Sequence, residues 1–186
     1  VLYFDKPGKG NTEACLKRVK ELLEEGQAPE HLVIASTVGD TAMLFAKELA
    51  GKGLNIVVVT HSYGFKEPNT IEMPEHTRQQ LQSMGVKVYT GTMITHTIET
   101  AFAKNFGGLY PTIIVAQTLR RLGEGLKVCC EIVMMATDAG LIPEAEEVIA
   151  VAGTARGADT VAIIRSAASK RFLDLKVLEI LAKPRA

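Results

Sequence analysis

Four stretches of this chain carry residue types that bind ligands. The first is Ser36-Thr37-Val38-Gly39-Asp40-Thr41, between an apolar run (His31 to Ser36) and a segment with helical spacing from Thr41. A strand-to-helix junction presents free backbone N–H groups and the positive end of a helix dipole. Gly39 lets a backbone come close to a ligand, and the hydroxyls of Ser36, Thr37 and Thr41 add donors. Together these suit a phosphate. Ser, Thr and Asp are also ordinary helix caps, and taken alone the stretch reads more simply as a capped helix start. Asp40 opposes a phosphate, since a carboxylate about 4 Å away costs roughly 1–4 kcal/mol per charge pair, depending on the local dielectric. Turned aside, it caps the helix or accepts from ligand hydroxyls.

The second stretch is Gly153-Thr154-Ala155-Arg156-Gly157-Ala158-Asp159-Thr160, which joins two strand-like runs. Arg156 among small residues offers a planar fork for phosphate, or is the exposed tip of a glycine-bearing turn. The third, Gly8-Lys9-Gly10-Asn11-Thr12-Glu13, begins like a dinucleotide fingerprint but has Glu13 where that motif needs glycine, and it lacks the Gly-Lys-Ser/Thr ending of a Walker loop. The fourth is Thr60-His61-Ser62-Tyr63-Gly64-Phe65, where His61 can touch a ligand and Tyr63 or Phe65 can stack on a ring. An ordinary surface loop is the competing reading, although the length of the connection from Ser62 to Met73 favours function.

The elements that must position these loops alternate. Strands are expected at 1–4, 31–36, 55–60 and 86–89. Helices are expected at 11–26, with Asn11 as N-cap and Gly26 as the stop, at 41–51, and from Pro74 to Gly85. This spacing is that of βαβ units around a parallel sheet, and strands apolar on both faces imply helices on both sides. The expected fold class is therefore α/β: a three-layer α/β/α arrangement with a mostly parallel sheet. The middle reads as helices at 95–106, 111–122 and 126–139, the last apolar nearly all round. The tail returns to strands at 148–152, 160–164 and 177–181. No domain boundary is placed within 1–186, Gly107-Gly108 being the weakest join. The loops after the first three strands fall on one sheet edge, and adjacent loops there form the usual crevice of open α/β sheets.

Composition narrows the function. With 47% hydrophobic and 23% charged residues the chain is neither disordered nor fibrous. Lys+Arg and Asp+Glu are both 21, so net charge is zero, which argues against nucleic acid or an anionic membrane as partner and eases homo-oligomer formation. Three cysteines (Cys15, Cys129, Cys130) are too few for a disulfide framework and point to a reducing, cytoplasmic setting. No apolar run reaches the ~20 residues of a membrane span. The histidines at 31, 61, 76 and 96 are scattered, so no metal is expected. No nucleophile–base pair stands out.

In combination, these motifs resemble a known family. Val33-Ile34-Ala35-Ser36-Thr37-Val38-Gly39-Asp40-Thr41 is similar to the phosphate loop of the pyruvate kinase C-terminal domain, where a Ser/Thr-rich stretch holds a phosphate of a sugar bisphosphate. Ile56-Val57-Val58-Val59-Thr60 resembles that domain's next strand. Ala139-Gly140-Leu141-Ile142 and Gly153 through Thr160 resemble its last helix, strand and Gly-rich effector loop. Three departures stand out. A chain of 186 residues has no room for the catalytic barrel, so pyruvate kinase activity is not implied. Asp40 stands where sugar-phosphate-binding relatives carry neutral or basic residues. The stretch from 91 to 123 has no counterpart.

This combination resembles stand-alone pyruvate kinase alpha/beta domain-like proteins, and that resemblance implies a bound flavin mononucleotide (FMN). On that basis a phosphorylated small molecule, FMN first, is expected at Asn11, Thr12, Ser36, Thr37, Val38, Gly39, Asp40, Thr41, His61, Gly153, Thr154, Ala155, Arg156 and Gly157. The phosphate would lie at Ser36–Thr41, ribityl contacts would come from Asn11, Thr12 or Asp40, and the ring would sit near His61, Tyr63 or Arg156. Arg156 beside the pyrimidine would steady an anionic reduced flavin, as a flavin-dependent oxidoreductase requires. A sugar-phosphate sensor without catalysis uses the same cradle, and a pure assembly module is a third reading. Aromatic residues are only 5%, with no Trp, so ring-stacking surface is scarce.

Overall fold

Burial of alternate residues on opposite faces organises the chain around one seven-stranded sheet in the computed structural model, which describes residues 1–26 and 28–185. The elements in chain order are β1 (Leu2–Phe4), α1 (Thr12–Glu24), β2 (His31–Ala35), α2 (Asp40–Leu49), β3 (Asn55–Val59), α3 (Glu75–Ser83), β4 (Lys87–Tyr89), α4 (Ile98–Phe106), α5 (Pro111–Arg120), α6 (Glu124–Asp138), β5 (Glu147–Ala152), β6 (Thr160–Arg165) and β7 (Lys176–Pro184). Spatial order is β1-β7-β6-β5-β2-β3-β4. All pairings are parallel except those that β6 makes with β5 and β7.

The sheet is the middle of three layers. Leu32, Ile34, Ile56, Val58, Ile149 and Val151 face one way, against Cys15 and Val19 of α1, Phe45 and Leu49 of α2 and Leu81 of α3. Val33, Val57, Val59, Val148 and Ala150 face the other way, against Leu126, Cys129, Cys130 and Val133 of α6. Two-residue alternation on the strands thus meets the helical stripes on both sides. α5 packs on the outside of α6, and α4 on α5. α4 buries no residue and leaves Ile98, Phe102 and Phe106 exposed. Among the described residues no helix is long and apolar enough to cross a membrane.

Several expectations need correction. Burial on both faces fails at the β1 edge, where Leu2 and Tyr3 are exposed, and along β7, where Leu178 is exposed. Helices cover the sheet's centre and leave that margin open. Asn11 stands at the N-cap position of α1, but its side chain makes no capping hydrogen bond. Its side-chain amide donates to Lys6 O (2.8 Å) and Gly8 O (3.2 Å), so it pins the preceding loop, and a short 3₁₀ turn at Lys9–Asn11 leads into the helix. Donation to carbonyls and capping of amides use opposite ends of the same side chain. The helix expected from Thr95 starts at Ile98, because the Thr95 amide and hydroxyl are drawn to Glu131 of α6 (2.7 and 2.8 Å).

Strand direction places the loops. β1, β2, β3 and β5 end at one edge, and antiparallel β6 starts there. Residues 5–11, 36–39, 60–74 and 153–159 therefore meet at that edge. From neighbours β2 and β5 the chain departs in opposite directions along the sheet, which is where a crevice opens in this class of fold.

Candidate functional site

A cavity of about 900 Å³ occupies that crevice. This is within the ~300–1,000 Å³ of small-molecule pockets. Its walls are the loops after β1, β2, β3 and β5, together with one side of α6.

The loop after β2 forms one wall. Ser36 N–H donates to Val59 O, which fastens the end of β2 to β3, and the Ser36 hydroxyl accepts from Ala42 N–H (3.2 Å). Ser36 thus does act as a cap. Between these two fixed points, the five amides from Thr37 to Thr41 donate to no acceptor among the described residues. Gly39 makes the turn at φ +102° and does not line the cavity. Its missing side chain is needed for a different neighbour than expected: a Cβ there would collide with the Thr77 methyl of α3. Thr37, Val38, Asp40 and Thr41 do line the cavity, with Asp40 exposed at the first position of α2.

The loops after β1 and β5 are locked to each other. The Asp159 carboxylate, 0% exposed, accepts from Gly8 N–H (2.8 Å), Thr154 N–H (3.0 Å) and the Thr160 hydroxyl (2.8 Å). The first turn of α6 lies against it, since a Cβ on Gly125 would stand 2.9 Å from Asp159 Oδ1. A helix N-terminus there favours the carboxylate's charge. The Thr12 hydroxyl donates to Lys9 O (2.8 Å) and accepts from Ala158 N–H (3.0 Å). A Cβ on Gly157 (φ +74°) would fall 2.5 Å from Lys9 Cα, so only glycine permits this approach.

Of the expected ribityl contacts, Thr12 lines the cavity while its hydroxyl ties the loops after β1 and β5 together, and the Asn11 side-chain amide is engaged by the Lys6 and Gly8 carbonyls. Thr154 and Asn11 do not reach the cavity, whereas Gly153, Ala155, Arg156 and Gly157 line it. Arg156 and Lys9 also line it, and neither has an ion-pair partner among the described residues.

On the β3 side, His61 Nδ1 donates to the Glu72 carboxylate (2.7 Å), and Nε2 lies 3.4 Å from the Thr37 hydroxyl. Phe65 packs at a tilt of 48° on the His61 imidazole with centroids 4.3 Å apart and meets His96 edge-on at 5.5 Å. Tyr63 is corrected as a stacking residue: it is exposed, outside the cavity, and donates to Asn69 O.

The α6 wall went unnoticed in the sequence. Lys127 and Glu131, 2% and 3% exposed, form an ion pair (2.5 Å) on the cavity side of a helix that reads as apolar. Burial pushes the Glu131 carboxyl up. The Lys127 charge and hydrogen bond, with both Thr95 donors, outweigh it and hold the carboxyl below its ordinary value. Burial first, and the Lys127 charge next, push His96 below the ordinary imidazole value. The only signal in the sequence was the i,i+4 Lys–Glu spacing, which most often marks a solvated face.

The family model described as pyruvate kinase, alpha/beta domain, matches residues 13–164. The chain belongs to the pyruvate kinase alpha/beta domain family. The match runs from α1 into β6 and includes the loop after β2, the His61 loop, α6 and the β5–β6 connection. Within this family fold, the cavity sits at the C-terminal ends of the parallel strands.

Proposed function

We propose that this protein binds a phosphorylated small molecule, FMN in preference to others, with its phosphate on the loop after β2. The observation that carries this is the run of five amides from Thr37 to Thr41 without a protein acceptor, at the N-terminus of α2 and opening on a cavity. Partnerless amides together with the dipole of a ten-residue helix make a strong anion cradle. Thr37 and Thr41 hydroxyls add donors, and Lys9 and Arg156 bring uncommitted positive charge to the same cavity. Asp40, exposed beside the cradle, accepts from ribityl hydroxyls rather than facing the dianion. Phe65, on the His61 ring, supplies one aromatic face for a flavin ring. A bound flavin supplies hydride-transfer chemistry; the chain's contribution is to hold and orient it.

The scarcity of aromatic surface favours a second reading. Phe65 is the one Phe, Tyr or Trp among the cavity's described lining residues, and a sugar phosphate needs no more than that. The deciding experiment titrates ligand-stripped protein into FMN and, separately, riboflavin, following flavin fluorescence. Saturable quenching by FMN that is lost with riboflavin is expected. Arg156→Ala should weaken FMN by about 10–100-fold, the worth of one charge-assisted hydrogen bond. Thr37→Ala and Gly39→Val should weaken it as well. Equal behaviour of FMN and riboflavin would remove the cradle assignment. Thermal stabilisation by a phosphorylated sugar, with none by FMN, would establish the sensor reading instead.

A further inference from the structure

The wall of the cavity formed by α6 has a pattern of open donors and acceptors that the phosphate cradle does not use. The Lys127 ammonium has three N–H donors. One is committed to Glu131 Oε2, and the others have no acceptor among the described residues. Glu131 Oε1 is occupied by the amide and hydroxyl of Thr95. Because the single Thr95 hydroxyl proton goes to Glu131, the Thr95 oxygen is left to accept, and it lies 3.1 Å from His96 Nδ1. Nδ1 therefore carries the His96 proton, and Nε2 presents a lone pair. Nε2 has no partner among the described residues, and His96 lines the cavity beside Lys127 and Glu131. Burial and the Lys127 charge favour the neutral ring.

The wall carries little net charge. Lys127 is paired with Glu131, and Arg120 with Glu124 (2.7 Å). A second anion gains little from paired charges, so the open groups suit a neutral polar edge. Beside them, Val128, Ile132, Met135 and Met93 form an apolar surface, and Phe65 stands edge-on to His96. A flat heterocycle can lie on that surface while its rim meets the polar groups.

We infer that the α6 wall recognises the neutral imide edge of a planar heterocycle, with Lys127 donating to a ring carbonyl and His96 Nε2 accepting the ring N–H. This rests on the flavin reading, because flavin carries such an edge at the end of the molecule remote from its phosphate. It moves the ring's polar contacts from the β5–β6 loop to α6, and it accounts for a buried Lys–Glu pair that a sugar phosphate would leave unused.

The test compares FMN with its N3-methyl derivative on the full chain, in wild type and in His96→Leu. Wild type should bind N3-methyl-FMN about tenfold more weakly, the worth of one buried neutral hydrogen bond. His96→Leu should bind both flavins equally. In wild type labelled with ¹⁵N, the His96 Nε2 resonance should move on adding FMN while that of His76 stays in place. This readout needs no folded variant. Equal binding of the two flavins by wild type, the same methyl penalty in both proteins, or an unmoved His96 resonance with FMN bound would overturn the inference and leave the cradle intact. Failure of FMN to bind at all would overturn both.

Discussion

Replacing Asp159 tests whether the two Gly-containing loops are held by one buried carboxylate. In Asp159→Ala the amides of Gly8 and Thr154 lose their acceptor, while the Thr160 hydroxyl can turn to find another. A donor left without a partner in a buried setting costs about 1–3 kcal/mol, so two cost roughly 2–6 kcal/mol. Gly8 and Thr154 are both only half-buried and water relieves part of each share, which sets the expectation at about 3 kcal/mol. For a domain of this size that is a fall in melting temperature of roughly 6–12 °C. Asp159→Asn keeps the shape and one acceptor oxygen for both amides. It loses only the strengthening that a full charge gives, about 1–2 kcal/mol. Urea denaturation of the three proteins, monitored by circular dichroism, measures both losses on one scale. The reasoning fails if Asp159→Ala lies within about 1 kcal/mol of wild type, or if the Asn variant is as unstable as the Ala variant.

Two further outcomes follow from buried titratable groups. His96 is held below its ordinary 6.5, so the folded protein binds its proton less readily than the unfolded chain does. The stability tied to neutral His96 is therefore complete above the unfolded value and is lost as pH falls through the folded one. An NMR titration of the His96 ring should place its midpoint below 6.5, and a midpoint at or above 6.5 would contradict the burial argument. Burial, with the Asp159 charge adding to it, pushes the Cys15 thiol up to about 12; burial pushes Cys130 up to about 12 and Cys129 well above its usual value. All three should resist Ellman's reagent in native buffer and react together in denaturant. Prompt native labelling of any of them would show that the α1 or α6 core opens easily.

Much of the architecture was legible because it is locally written. The runs Leu32 to Ile34 and Ile56 to Val59 are short, apolar on successive residues and rich in β-branched side chains, a pattern that suits a strand covered on both faces. Pro111 and Gly140 marked helix ends through the fixed φ of one and the positive φ of the other. The loop after β2 was legible as a strand–helix junction for the same reason, although helix capping and ligand binding draw on the same glycine and hydroxyls there. Asn11 misled because pinning a loop and capping a helix draw on the same residue type, and the nearby carbonyls decide between them. The α6 wall was hidden by composition: one Lys and one Glu four residues apart look like a solvated pair until the cavity floor is seen around them.

The sequence by itself determined the period of each segment, and hence which segments became strands and helices, because backbone preference and side-chain alternation act over a few residues. It also determined the membership of the family, through the order of its motifs. Only the tertiary structure decided that Gly8 and Asp159 meet across 151 positions, that His61 finds Glu72, and that Lys127, Thr95 and His96 share one chain of hydrogen bonds. Those meetings depend on strand order, with β5 beside β2 and β6 running backwards. Strand order is set by the summed burial of many side chains far apart in the chain, a quantity to which no single motif contributes enough to be read locally.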